Sequence, residues 1–144
     1  MTTSKQIKSK ISKEGKLSIS IDEVEIPEPK EGEVLIKVQA TPINPSDLGL
    51  LVGPADVSSL KVIENGALVE MQVPEGLIRS VAARFDQNLP VGNEGAGIVE
   101  AAGKGAEHLI GKVVGVAGGA MYSEYRCLPA MSCLEMNEGT SPEQ

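Results

Sequence analysis

The sequence predicts a mainly β fold, a β-barrel or β-sandwich with one or two short helices. Several short segments alternate apolar and polar residues with the period of two that a half-buried strand requires. The 144 residues also include 16 glycines and 9 prolines, and many of these separate the alternating segments, where the chain must turn. Short strands separated by regular glycine turns are typical of all-β barrels and sandwiches.

Each strand is predicted from its own residues. Residues 17–26 alternate strictly and end at Pro27 and Pro29, because proline cannot donate a hydrogen bond to a neighbouring strand. Residues 33–40 are rich in β-branched side chains and stop before Pro42. Further strands are predicted at 66–73, 98–101, 112–116 and 121–128, for a total of about six or seven.

The helical segments are fewer and shorter. Residues 54–61 are predicted to form one or two helical turns, and residues 75–87 place five apolar side chains at the spacing of an amphipathic helix. Residues 44–47 lie on a loop or at the start of a short helix, which Asp47 would cap. From Asn137 onward the sequence is polar and is predicted to be a linker or a frayed end.

Composition excludes several function classes. The net charge of −7, from 20 acidic and 13 basic residues, argues against binding to the phosphates of nucleic acid. No stretch approaches the roughly 18 apolar residues of a membrane span, and Met1–Lys13 lacks the apolar region of a secretory signal. Cys127 and Cys133 fit neither a zinc motif nor a disulfide framework, so they are expected to be reduced thiols of a cytoplasmic protein.

Three stretches together resemble the catalytic domain of the medium-chain dehydrogenases/reductases, in particular the quinone oxidoreductase and enoyl reductase branch. Residues 26–38 are similar to the family pattern P-x-P-x-x-G-E-V-L-I-x-V, residues 43–47 to its N-P-x-D loop, and residues 90–99 to its P-G-x-E-x-x-G-x-V segment. Residues 111–115 and 122–125 resemble the later G-D-x-V-x-G and Y-A-E-Y motifs. Each motif alone is weak, but their order and spacing make the resemblance strong.

The resemblance implies a GroES-like, partly open β-barrel over residues 1–136, with 137–144 a linker toward a Rossmann domain that this chain does not contain. The glycines after Gly95 and Gly103 do not supply a Rossmann fingerprint, since the third glycine is missing from both. The complete protein is therefore expected to be a longer oxidoreductase that uses NADPH or NADH. It would be a quinone or enone reductase, or a related alcohol dehydrogenase, that acts on a small quinone or carbonyl compound and could form a homo-oligomer such as a dimer. The isolated chain is expected to bind no cofactor and to be inactive.

The resemblance also implies chemistry without zinc. Zinc-dependent members carry Cys where this sequence has Asn44 and His where it has Asn93, and an amide is a poor zinc ligand. The implied catalytic residues are Asn44, Ser46, Asn93 and Glu94. Asn44, Pro45 and Asp47 would contact the nicotinamide, with Asp47 holding the loop.

Alternatives remain for these residues. Asn44 is also typical of a turn in which the side chain bonds its own backbone, and Ser46 is also typical of a helix cap. Glu94 is either a solvated loop carboxylate or a partly buried acid beside the active site. Tyr125 is expected in the core and His108 at the surface.

Two larger questions stay open at this stage. The stretch 54–89 is longer than is typical of the family, and it would either shape the choice of substrate or thicken the wall of the barrel. A free-standing GroES-like binding or assembly module, without enzymatic activity, is the alternative function.

Overall fold

Residues 2–144 are described by the computed structural model, and they are mainly β. They contain ten strands, one short α-helix and four 3-10 segments. The strands are β1 (Thr3–Ile11), β2 (Lys16–Glu25), β3 (Glu33–Ala40), β4 (Asp56–Ile63), β5 (Leu68–Gln72), β6 (Leu89–Pro90), β7 (Glu94–Ala102), β8 (Val113–Ala117), β9 (Tyr125–Pro129) and β10 (Cys133–Glu135). The α-helix α1 spans Leu48–Leu51, and the 3-10 segments span Glu64–Gly66, Glu75–Arg84, Glu107–Leu109 and Ala130–Ser132.

The strands form two five-stranded sheets. The order in the first sheet is β4-β5-β2-β1-β6, and the order in the second is β10-β8-β7-β3-β9. Both sheets are open, with an edge strand at each end, and their neighbours pair antiparallel in such pairs as β2 with β5 and β3 with β7. The predicted fold class, mainly β with few short helices, is therefore confirmed.

The chain divides into two compact units, each with its own core. The smaller unit comprises Ile7–Asp22 and Asn44–Val91, and the larger unit comprises residues 2–6, Glu23–Ile43 and Gly92–Gln144. The buried core of the larger unit comes mostly from β3, β7, β8 and β9, for example Val34, Ile36 and Val114, and Leu109 and Met121 add to it from outside these strands. The core of the smaller unit is built on Ile11, Leu17, Met71 and Val73. The division into a 1–136 domain and a 137–144 linker stays a prediction.

The long segment 54–89 supplies much of the smaller unit. Strands β4 and β5 extend the first sheet beyond β2, with Val62 opposite Val69 and Val69 opposite Ile19. Ile78 and Val81 of the 3-10 segment Glu75–Arg84, together with Phe85 directly after it, pack against the core of this unit. The predicted amphipathic face is thus present only in part, because Leu77 and Ala82 are exposed, and the segment is a 3-10 helix that ends at Arg84 rather than near Gln87.

The described residues form ten strands where about six or seven are predicted: β1, β6 and β10 lie outside the predicted strands, and β4 replaces a predicted helix. Residues 54–61 were expected to be helical, but β4 covers Asp56–Ile63. The carboxylate of Asp56 accepts hydrogen bonds from the N–H and the hydroxyl of Ser58, a local turn whose residues resemble a helix cap, while pairing with β5 decides the outcome. Strand β1 was not predicted, because two of its buried positions are Ser4 and Ser9, which give no apolar alternation.

Candidate functional site

The loop before α1 is closed by hydrogen bonds between Asn44 and Asp47. The backbone N–H of Asn44 donates to Oδ2 of Asp47 (2.8 Å), and the N–H of Asp47 donates to the carbonyl of Asn44 (2.9 Å). Asp47 is 1% exposed, so its carboxylate lies inside the loop. A buried acceptor in this position fixes the backbone on both sides of Pro45 and presents Asn44, Pro45 and Ser46 at or near the surface.

The capping predictions for this loop are only partly met. Asp47 is the N-cap residue of α1 by position, but its side chain makes no capping hydrogen bond to the helix. Its carboxylate reaches backward to Asn44 instead. Ser46 directly precedes the N-cap residue of α1, and its role as a helix cap stays a prediction.

A second segment of predicted site residues, Gly92–Glu94, belongs to the larger unit. The carbonyl of Gly92 accepts a hydrogen bond from the N–H of Met121 (3.1 Å), and the carbonyl of Asn93 accepts one from Gly118 (2.9 Å). Glu94 begins β7 and pairs opposite Ala117 of β8. The side chains of Asn93 and Glu94 are exposed, so the expectation of a partly buried acid at Glu94 is wrong.

Close packing of Gly92 on Tyr122 shapes this segment. Gly92 has a φ of 102°, and a Cβ there would lie 2.6 Å from both the ring Cδ1 and the backbone nitrogen of Tyr122. Only glycine fits such a position. The half-buried Tyr122 donates its hydroxyl hydrogen bond to the carbonyl of Pro42 (3.1 Å), two residues before Asn44. The sequence analysis assigned no role to Tyr122. The only feature of the sequence that pointed to it was the Tyr-Ser-Glu-Tyr motif at residues 122–125.

A groove of about 640 Å³ lies in the larger unit beside Glu94. Its walls are mostly apolar and include Thr41, Pro42, Ala96 and Val116, and the chain segment Pro142–Gln144 also borders it. One of its wall residues, Glu94, is a predicted site residue, and another, Pro42, precedes Asn44 by two positions in the chain. A groove of this size and polarity suits a small, largely apolar molecule with one or two polar groups.

The predicted site residues therefore occur in two sets. Asn44, Pro45, Ser46 and Asp47 share the loop of the smaller unit, and Asn93 and Glu94 share the start of β7 in the larger unit. Within residues 2–144 there is no group of three or more His, Cys, Asp or Glu side chains that could hold a metal ion. His108 lies in an exposed 3-10 turn, as predicted, and Tyr125 is half-buried.

The two cysteines are separate and only partly buried. Burial raises the pKa of both thiols, and the nearby carboxylate of Glu33 adds to the rise for Cys127. Both groups are therefore protonated thiols at neutral pH. No helix in the described part of the chain is long and apolar enough to cross a membrane.

Comparisons with known proteins agree on the type of domain. The family model of the alcohol dehydrogenase GroES-like domain matches residues 30–139. The zinc-type alcohol dehydrogenase-like protein C337.11 of Schizosaccharomyces pombe is 31% identical over 137 residues, which cover 90% of this chain and 33% of that protein.

Solved structures show the same fold. A quinone oxidoreductase of Pseudomonas syringae pv. tomato superposes with a TM-score of 0.62 at 22% identity, covering 96% of this chain and 35% of its own. The mycobacterial protein Rv1454c complexed with NADPH gives 0.57 at 21% identity, covering 96% of this chain and 34% of its own. The chain spans about a third of the length of the relatives it matches.

Proposed function

The chain belongs to the alcohol dehydrogenase GroES-like domain family of the medium-chain dehydrogenases/reductases, and on that premise we propose that it is the substrate-side domain of an NAD(P)H-dependent oxidoreductase. The substrate class is a small quinone or enone. The observation that carries the proposal is the Asn44–Asp47 loop, since the buried carboxylate of Asp47 holds the backbone of Asn44 in place within the part of the chain that matches the family model.

The loop fits contact with a flat nicotinamide ring. Pro45 and Ser46 are exposed and Asn44 is half-buried, on a backbone that Asp47 holds in place. Asn44 and Pro45 would lie against the ring, and Asp47 would keep them there. When bound, the reduced nicotinamide supplies a hydride. Most of the cofactor-binding surface would belong to a nucleotide-binding domain outside these 144 residues, and the NADPH named for one solved relative supports the choice of NADPH over NADH.

Hydrogen-bond donors of this chain would polarise the substrate. Hydride addition to a quinone or enone places negative charge on the carbonyl oxygen, and donors aimed at that oxygen lower the barrier. Asn44, Ser46 and Asn93 supply such donors. The proton that completes the reduction would come from water, either directly or relayed through the Ser46 hydroxyl, which gives up one proton to the substrate and regains one from water. Glu94 would contact the substrate from the rim of the groove.

Zinc is not part of the proposal. An Asn44 or Asn93 amide is a poor ligand for zinc, which prefers thiolate, imidazole or carboxylate. This choice departs from the name of the yeast relative, which is called zinc-type. It rests on the residue types at these two positions, and a metal analysis of the purified protein tests it: a stoichiometric zinc ion would overturn it.

The remaining parts of the proposal are location and assembly. A reducing cytoplasm suits two thiols whose pKa is raised above the ordinary range. Exposed apolar side chains on β4, such as Val57 and Val62, support self-association into a homodimer. Sedimentation of the purified protein would show a monomer if this part is wrong.

The decisive experiment starts with the native protein. The mass of the species that carries this chain is measured first, and a species of roughly 35–40 kDa is expected if two typical domains are joined. That species is assayed for quinone-dependent oxidation of NADPH. Asn44→Ala should lower turnover by about 10- to 100-fold, the usual effect of removing one polarising donor or misplacing the reactants.

Asn137→Ala is the matched control, because Asn137 is an exposed asparagine near the end of the chain. Equal turnover of the two variants would refute the role of Asn44. A native species near 15 kDa without reductase activity would instead favour a free-standing binding module.

A further inference from the structure

Arg84 is a partly buried cation whose contacts all lie in the smaller unit. Its Nη1 donates to the carbonyl of Gly49 (2.8 Å), and its Nη2 donates to the hydroxyl of Ser9 (3.1 Å) and to the carbonyl of Leu50 (3.4 Å). No carboxylate among residues 2–144 forms an ion pair with it. The guanidinium is therefore held by backbone carbonyls and a hydroxyl, and its planar fork matches several such acceptors at once.

The carbonyls that Arg84 contacts are those at the end of α1. The last carbonyls of any helix lack partners within the helix. In α1 the Asp47 and Leu48 carbonyls are satisfied by backbone N–H groups that follow them, whereas the Gly49 and Leu50 carbonyls are reached by side chains. Ser9, which is fully buried, also donates to the Leu50 carbonyl (2.5 Å). Arg84 and Ser9 together thus close the far end of α1.

A continuous set of hydrogen bonds joins this end of α1 to Asn44. The N–H groups of Leu50 and Leu51 donate to the carbonyl of Asp47 (3.1 and 3.0 Å). The carboxylate of Asp47 in turn accepts from the N–H of Asn44. A four-residue helix has little stability of its own, so its position depends on what holds its two ends.

We infer that Arg84 is a positioning residue for the Asn44–Asp47 loop: the segment 54–89 reaches back through Arg84 to hold α1, and α1 holds the residues that would face the nicotinamide. The inference rests on the proposed function for its catalytic consequence. Its structural part, that Arg84 restrains the loop, stands independently of any activity. Arg84 touches neither substrate nor cofactor in this account, and it acts only through the backbone of α1.

Local hydrogen exchange of this 144-residue chain tests the structural part. Arg84→Met keeps the apolar stem and removes all the donors. Exchange at the N–H groups of Asn44, Leu50 and Leu51 should become about 10- to 100-fold faster, the loss expected for hydrogen bonds from a charged donor. The N–H of Val73, which bonds Gly15 in the same unit, should exchange at its wild-type rate.

Arg79→Met is the matched control, since Arg79 is an exposed arginine in the same 3-10 segment. It should leave all four exchange rates unchanged. A uniform acceleration at Val73 and the loop alike in Arg84→Met would overturn the inference, because it would mean that Arg84 only adds global stability. Unchanged loop exchange would overturn it as well.

Turnover of the longer protein that carries this domain tests the catalytic part. Arg84→Met should lower NADPH-dependent quinone turnover by about tenfold and leave the thermal midpoint well above the assay temperature, whereas Arg79→Met should do neither. Arg84→Lys should restore only part of the rate, because an ammonium cannot reproduce the planar fork. Accelerated loop exchange with unchanged turnover would overturn the role in the reaction. If the wild-type protein reduces no quinone at all, the proposed function fails, and the exchange rates alone decide whether Arg84 positions the loop.

Discussion

Replacing Gly92 by alanine should destabilise the larger unit by about 2–5 kcal/mol. A φ of 102° is outside the range that an alanine adopts without strain, which costs about 1–2 kcal/mol. The new Cβ would also lie 2.6 Å from the backbone nitrogen of Tyr122, and a backbone atom cannot rotate away. Overpacking of this kind adds about 1–3 kcal/mol.

Urea unfolding followed by circular dichroism measures the effect. With a slope of about 1–3 kcal/mol per molar urea, the midpoint should fall by at least about 0.7 M. Gly119→Ala is the control, because Gly119 has no positive φ and a Cβ there would meet nothing within 4 Å. Midpoints of the two variants that agree within about 0.3 M would refute the reasoning. It would then follow that the Gly92 backbone can adjust without moving Tyr122.

Two further predictions concern the larger unit. Tyr122→Phe removes the hydrogen bond to the Pro42 carbonyl and should lower the free energy of unfolding in urea by about 0.5–1.5 kcal/mol. The control is Tyr125→Phe, which should lower it by less than about 0.5 kcal/mol, because the Tyr125 hydroxyl has no hydrogen bond within residues 2–144. Equal losses for the two variants would contradict this prediction. Because the pKa values of Cys127 and Cys133 are raised on folding, alkylation of the folded chain by iodoacetamide, followed by mass spectrometry, should be slower at pH 8 than in urea. The same shift means that the protonated thiols favour the folded state below the ordinary thiol pKa, and that this contribution is lost as the pH rises through the folded pKa. Equal alkylation rates in the folded and unfolded chain would show that the thiols are not perturbed.

The strands that sequence reasoning identified are those whose buried face is apolar. Residues 17–26 and 33–40 correspond to β2 and β3 within a residue, because the first alternates apolar with polar residues and the second is rich in β-branched ones. Leu17, Val34 and Ile36 are fully buried, although Ile21 is 46% exposed. Strand β1 is hidden by the serines at its buried positions, and one of them, Ser9, is buried for its hydrogen bond to Leu50 rather than for packing. A polar residue that serves a distant partner gives no periodic signal.

The candidate site shows the same limit. The motif Asn44-Pro45-Ser46-Asp47 was recognisable, and the pairing of Asp47 with the Asn44 backbone is local enough to be expected from a turn. The sequence left two alternatives for Glu94, a solvated carboxylate or a partly buried acid, and it could not choose between them because the exposure depends on the pairing of β7 with β8. Arg84 lies 35 residues along the chain from Gly49, whose carbonyl it contacts, and no sequence pattern predicts such a contact.

The role of the segment 54–89 can now be argued further than the sequence allowed. Its strands and its side chains Ile78, Val81 and Phe85 enlarge the core of the smaller unit, which is the structural alternative. A segment that only enlarged a core would be expected to bury apolar groups alone. Arg84 instead buries an Nε atom that has no hydrogen-bond partner in the described residues, at a cost of about 1–3 kcal/mol. The hydrogen bonds that Arg84 donates to the Gly49 and Leu50 carbonyls offset that cost, and they can form only when the guanidinium reaches α1. The arrangement is therefore explained better by a requirement on the position of α1, and hence of Asn44, than by packing of the core.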